Sequence, residues 1–170
     1  ECGMRNLDVL DMIREHHERF DGSGYPEGAA GEGISLMGRV LGLVDTFDAL
    51  CSDRTFQPRL SKHHALQLLY RERNKLFQAE LLEQFSQCMG VYPTGSLVEL
   101  SSGQIAVVQA QNQARRLYPR VTVLTDPAKN IDSAFPQLDL WQDLGPDGNR
   151  ISVVRALAPG SFGIELAELY

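Results

Sequence analysis

The residues best suited to chemistry stand in one short run. His16 and His17 are adjacent, Glu18 follows, and then comes Asp21-Gly22-Ser23-Gly24-Tyr25-Pro26-Glu27-Gly28. Neutral imidazoles bind iron, manganese or zinc. Neighbouring residues at a helix end point about 100° apart, so a glycine-rich loop can close over two rings turned toward one cavity. Two imidazoles alone do not complete a site. Asp45 is a candidate third ligand: it lies four residues after Leu41 and eight after Met37, so a helical period sets its carboxylate on an otherwise apolar face. A carboxylate buried there needs a metal, an arginine or a hydrogen-bonded partner. Asp48, one turn later, is either an acceptor that orients a histidine or a cap or helix-helix hydrogen bond.

The elements that must position these groups are legible from periodicity. Leu7, Leu10, Ile13 and His17 form one face of a helix over 7–17 that runs into the doublet. The three glycines and one proline of residues 21–28 end it in a tight loop. A second helix is expected over Ile34–Leu50, with Met37, Val40, Leu41, Val44 and Phe47 on a broad apolar face; Gly38 and Gly42, four apart, permit close packing. A third helix starts at a Ser61 cap and a fourth covers Ala79–Met89. After Gly90 the period changes to short β-branched runs at Ser96–Leu100, Ile105–Gln109, Arg120–Leu124, Leu138–Trp141 and Ile151–Val154, with turns at Ser102-Gly103 and Pro146-Asp147-Gly148-Asn149. The expected fold class is therefore α+β, a helical bundle over 1–90 followed by a small antiparallel β module over 91–170.

Composition narrows the function. The 170 residues carry 22 acids against 16 bases, net −6, with 43% apolar residues, which excludes disorder and disfavours a nucleic-acid polymer as partner. No apolar run approaches the roughly 20 residues of a membrane span. Cys2, Cys51 and Cys88 lack metal-ligand spacing and read as scattered thiols of a reducing cytoplasm. The second doublet, His63-His64, sits in a first helical turn with no carboxylate one turn on, and is expected to be solvated. In the β module, Arg115, Arg116 and Arg120 could meet an anion, but a structural extension is favoured, with Trp141 in its core.

The joint order of these motifs is more specific than any one of them. HHERFDGSGYPEG followed by GRVLGLVDTFDALCSDR closely resembles the HD-GYP family of metal-dependent cyclic di-GMP phosphodiesterases, strongly over about residues 6–87. The resemblance implies that His16, His17 and Asp45 are metal ligands, that Tyr25 lies near the bound nucleotide, and that Arg54 approaches its phosphate, where a planar donor fork suits two oxygens. Asp21 and Asp48 would then support the ligands from behind. Two or three divalent ions, iron, manganese or other, would activate a water for in-line attack on phosphorus.

Two departures accompany the resemblance. The run Arg54-Thr55-Phe56-Gln57 has a neutral amide where the family often has a basic residue, so phosphate binding would be weaker or shared with Arg59. The family's upstream His-Asp motif, its lysine and a further histidine have no counterpart, and the chain opens on Glu1-Cys2-Gly3 without methionine. The expectation is thus the C-terminal half of a cytoplasmic, bacterial catalytic domain, whose missing N-terminal half, cyclic di-GMP, and a sensor or diguanylate cyclase domain are its partners. The isolated piece, with no certain catalytic residue of its own, is expected to be inactive and to expose an apolar face on its first helix. The alternative is a non-catalytic cyclic-dinucleotide signalling or protein-interaction module.

Overall fold

Gly38 and Gly42 decide how the first two helices meet. The computed structural model describes residues 6–53 and 58–165, with side chains from residue 9, so Arg54 and Gln57 lie outside the described residues. Helix α1 spans Asn6–Glu15 and α2 spans Leu36–Cys51. Each interior glycine costs a helix about 1 kcal/mol relative to alanine. Contact explains their presence: a Cβ on Gly38 would lie 2.9 Å from Glu15 Cβ, and one on Gly42 2.6 Å from the His16 carbonyl oxygen. The two backbones therefore approach as only glycines allow.

The start of α2 is fixed by the same contact. Ser35 is its N-cap, and its Oγ accepts from Gly38 N at 3.0 Å. Its own N–H donates to Glu15 Oε2 at 2.8 Å. The reciprocal half of a capping box thus comes from the preceding helix instead of from the third residue of α2. Burial pushes the Glu15 carboxyl up, but the Ser35 hydrogen bonds and the Arg14 charge outweigh this and hold it below the usual carboxylate range.

Helices α3 (Lys62–Arg71) and α4 (Ala79–Met89) complete the helical part. Glu1–Pro58 with Ala65–Ser86 form one compact unit, in which Leu43, Phe47, Ala65, Leu66, Leu69, Phe77 and Leu82 are buried. Phe47 meets Phe85 edge-on with centroids 5.2 Å apart. The broad apolar face expected on α2 needs correction. Its buried strip is Gly38, Gly42, Leu43 and Phe47, whereas Met37, Val40 and Val44 are exposed. On α1 the expected exposed apolar face is present, with Leu10 61% and Ile13 56% accessible. No helix among the described residues is long and apolar enough to cross a membrane.

The second unit joins Arg59–His64 to Gln87–Tyr170. Its five strands, β1 (Leu97–Leu100), β2 (Ile105–Ala110), β3 (Arg120–Val123), β4 (Gln137–Asp139) and β5 (Val153–Ala156), are all antiparallel in the order β4-β3-β2-β1-β5. The α+β class is as expected, although β5 begins two residues later than its pattern suggested. Alternation sends Val98, Leu100, Ala106, Val108, Val121 and Val123 to one face and Leu97, Ile105 and Val107 to the other, and both faces are covered. Covering both faces explains why β2 reads as a continuous apolar run instead of an alternating one. Glu99, on the second face, is clasped by Lys129 Nζ at 2.6 Å and Arg155 Nε at 2.8 Å.

Residues 59–64 belong with the sheet for identifiable reasons. Lys62 Nζ donates to Thr94 O at 2.7 Å, and Arg59 pairs with Glu165 at 2.6 Å. The solvated role expected for His63-His64 is corrected at His63. Its Nδ1 donates to Val91 O at 2.8 Å and its ring stacks on Tyr92 at 5.7 Å, while exposed His64 takes a Ser61 Oγ contact at 2.9 Å. Trp141 is likewise not core. It is half-buried between the guanidinium groups of Arg115 at 4.3 Å and Arg150 at 3.9 Å, because the sheet faces are filled by aliphatic side chains and its ring is left to cation-π partners.

The shared cap gives a stability prediction with a defined sign. Ser35→Ala should cost about 1 kcal/mol in urea unfolding. A carboxyl whose pKa is depressed by folding stabilises above its unfolded pKa and loses that contribution as pH falls through the folded one. Glu15→Gln should therefore be less stable than wild type at pH 7, with the gap closing below the usual glutamate range. An unchanged gap at acid pH would contradict the role given to Glu15.

Candidate functional site

The histidine doublet occupies the turn that follows α1. Helix α1 stops at Glu15, earlier than the period suggested, and Glu18 N closes the turn by donating to Glu15 O at 2.9 Å. Arg19 Nη1 donates to two carbonyls of the turn itself, His16 O at 3.2 Å and Glu18 O at 3.0 Å. Both imidazoles are half-buried, with ring centroids 4.0 Å apart. His16 Nδ1 lies 2.6 Å from Ile13 O. A carbonyl only accepts, so Nδ1 donates and Nε2 is the nitrogen left to face a metal when the ring is neutral.

The Gly-Tyr-Pro loop folds back onto this turn. Tyr25 N donates to His17 O at 3.3 Å, and the Tyr25 ring stacks on His17 at 4.8 Å while remaining 61% exposed. Gly24 makes the approach possible, since a Cβ there would sit 2.4 Å from Arg19 N and from Glu18 Cα. The loop is anchored elsewhere by Phe20 N to Leu76 O at 3.0 Å and Gly31 N to Phe20 O at 2.9 Å. His16, His17 and Tyr25 are thus brought into one stack.

The acidic residues are arranged differently from expectation. Asp45 is exposed, not buried. About 100° per residue puts it roughly 60° round from Gly42, on the flank of the buried strip, and Asp48 lies on the far side. Among the described residues no group of three His, Cys, Asp or Glu side chains is placed to hold a metal. The His16 ring fits a divalent ion by its tautomer, but the donor set within the described residues is incomplete. Asp21 is also exposed. Its Oδ1 accepts from Ser23 N at 2.9 Å and Ser23 Oγ at 2.6 Å, and these bonds hold its carboxyl below the usual range. It ties the loop to itself; its hydrogen bonds go to Ser23 and not to the His17 ring.

Glu18 was the residue hardest to read from sequence. It is only 5% exposed, and its Oε1 accepts from Glu27 N at 2.7 Å across the loop. Its one sequence signal was direct adjacency to the doublet.

The close contacts generate a prediction. Gly24→Ala and Gly42→Ala force backbone atoms apart and should each cost about 1–3 kcal/mol by urea unfolding. In proton NMR, Gly24→Ala should also remove the upfield shift that the Tyr25 ring imposes on His17. Wild-type stability and an unmoved His17 signal would contradict the stacking assigned to the loop.

Residues 5–81 match the HD domain family. A cyclic di-GMP phosphodiesterase of Pseudomonas aeruginosa is 38% identical over 140 residues, 82% of this chain and 34% of that protein. The cyclic di-GMP phosphodiesterase response regulator RpfG of Xanthomonas campestris is 40% identical over 88 residues, 48% of this chain and 23% of that protein. A 3'3'-cGAMP-specific phosphodiesterase of Vibrio cholerae is 32% identical over 82 residues, 48% of this chain and 18% of that protein. The chain thus spans about a third or less of the length of these relatives. With the paired imidazoles and the stacked Gly-Tyr-Pro loop lying inside the matched stretch, residues 5–81 belong to the HD domain family and are of its HD-GYP type.

Proposed function

We propose that this chain is one wall of the active site of a metal-dependent phosphodiesterase that hydrolyses cyclic di-GMP in bacterial signalling. The observation that carries the reading is the His16-His17-Tyr25 cluster, in which His16, held by its Nδ1 at the Ile13 carbonyl, stands beside His17, and His17 stacks on the exposed Tyr25 ring. His16 and His17 would hold divalent iron or manganese, with Asp45 of α2 as the third ligand. Such ions, when bound, supply an activated water and neutralise charge on the phosphoryl oxygens. The chain's own groups do the rest. Tyr25 offers an exposed face for a base, and Arg54 offers a donor fork for phosphate. Residues 1–90 form the catalytic part in this reading, residues 91–170 an appended module, and a His-Asp segment with its lysine and further histidine completes the donor set.

Hydrolysis of cyclic di-GMP followed by chromatography, with manganese or ferrous iron, tests this directly. A protein that joins this chain to a His-Asp segment should produce the linear dinucleotide or the mononucleotide, and His17→Ala should lower turnover by about two orders of magnitude or more. The 170-residue chain alone should show none. Turnover by the isolated chain, or an unaffected His17→Ala enzyme, would overturn the proposal. Binding without turnover by the joined protein would favour a signalling module instead.

A further inference from the structure

Glu18 and Arg39 each bury one polar atom that no described residue satisfies. Glu18 Oε2 and Arg39 Nε are fully buried without a hydrogen-bond partner among the described residues, although the opposite ends of both side chains are engaged. Glu18 Oε1 accepts from Glu27 N at 2.7 Å, and Arg39 Nη1 donates to Gln78 Oε1 at 2.7 Å. An acceptor and a donor therefore remain, and both residues line the same small cavity under Phe20, Gly42 and Phe77. The cavity, of about 10 Å³, has room for a single water. Leaving both atoms unpaired would cost on the order of the full desolvation of each group, so a bridging ligand is strongly favoured.

We propose that one internal water joins Glu18 Oε2 to Arg39 Nε, and that this pair is a positioning device for the Gly-Tyr-Pro loop. Glu18 holds the loop through the Glu27 amide; the water carries that hold to Arg39 on α2; Gln78 anchors Arg39 in turn. Neither Tyr25 nor His17 lines the cavity, yet their stacking depends on Arg39. A water is the ligand because it donates to the carboxylate and accepts from the guanidinium at once, which a metal cation beside Arg39 could not do.

The test uses the whole 170-residue chain labelled with nitrogen-15. The Arg39 Nε–H should show a nuclear Overhauser contact to a long-lived water. Arg39→Met should shift the Glu27 amide, speed its hydrogen exchange about tenfold or more, and reduce the Tyr25 ring-current shift on His17. Arg39→Met that lowers the melting midpoint but leaves Glu27 and His17 unmoved would reduce Arg39 to a plain structural residue and overturn the proposal. Should that variant fail to fold, wild type decides. An Arg39 Nε–H without a water contact, or a high-resolution crystal structure with Glu18 and Arg39 in direct contact, would equally overturn it.

Discussion

The contact of Gly42 with the His16 carbonyl is the constraint from which the helical unit is built. A side chain at that position would displace the end of α1 from α2, and with it the turn that carries both imidazoles. Because the two backbones touch, Glu15 reaches the Ser35 amide and completes the cap of α2. The helix propensity lost at Gly38 and Gly42 is offset by dispersion contact and by hydrogen bonds that only this spacing allows.

The loop obeys the same logic one layer out. Gly24 lies against the backbone of residues 17–19, so Tyr25 can stack on His17, and Glu18 beneath it holds the returning strand at Glu27. Three of the loop's polar groups, Asp21, Ser23 and Glu18, are spent on the loop's own conformation. The Tyr25 ring, stacked on His17, remains exposed.

The sheet unit is organised on a different principle. Its strands β1 and β2 are covered on both faces, with two separate aliphatic clusters divided by the pleat. That leaves no room for the tryptophan, whose ring stands between two arginines at the periphery. The first turn of α3 is drawn to this unit by Lys62 and His63 through backbone carbonyls at Thr94 and Val91, contacts spanning about thirty residues of sequence.

By itself the sequence determined the order of the elements, the change from helix to strand near Gly90, and the joint motif that identifies the family. These depend on local period, on glycine and proline at turns, and on residue types at short spacing, all of which a chain carries regardless of its partners. Tertiary structure decided which face of each helix is covered. Asp45 shares a helical face with Met37 and Leu41, as the period required, but the strip that packs is Gly38, Gly42, Leu43 and Phe47, so the carboxylate is exposed. It also decided that Glu18 is buried, that Arg39 shares its cavity, and that His63 binds a carbonyl. Such outcomes follow from contacts between residues far apart in the chain, and no local pattern encodes which of two apolar faces will find a partner.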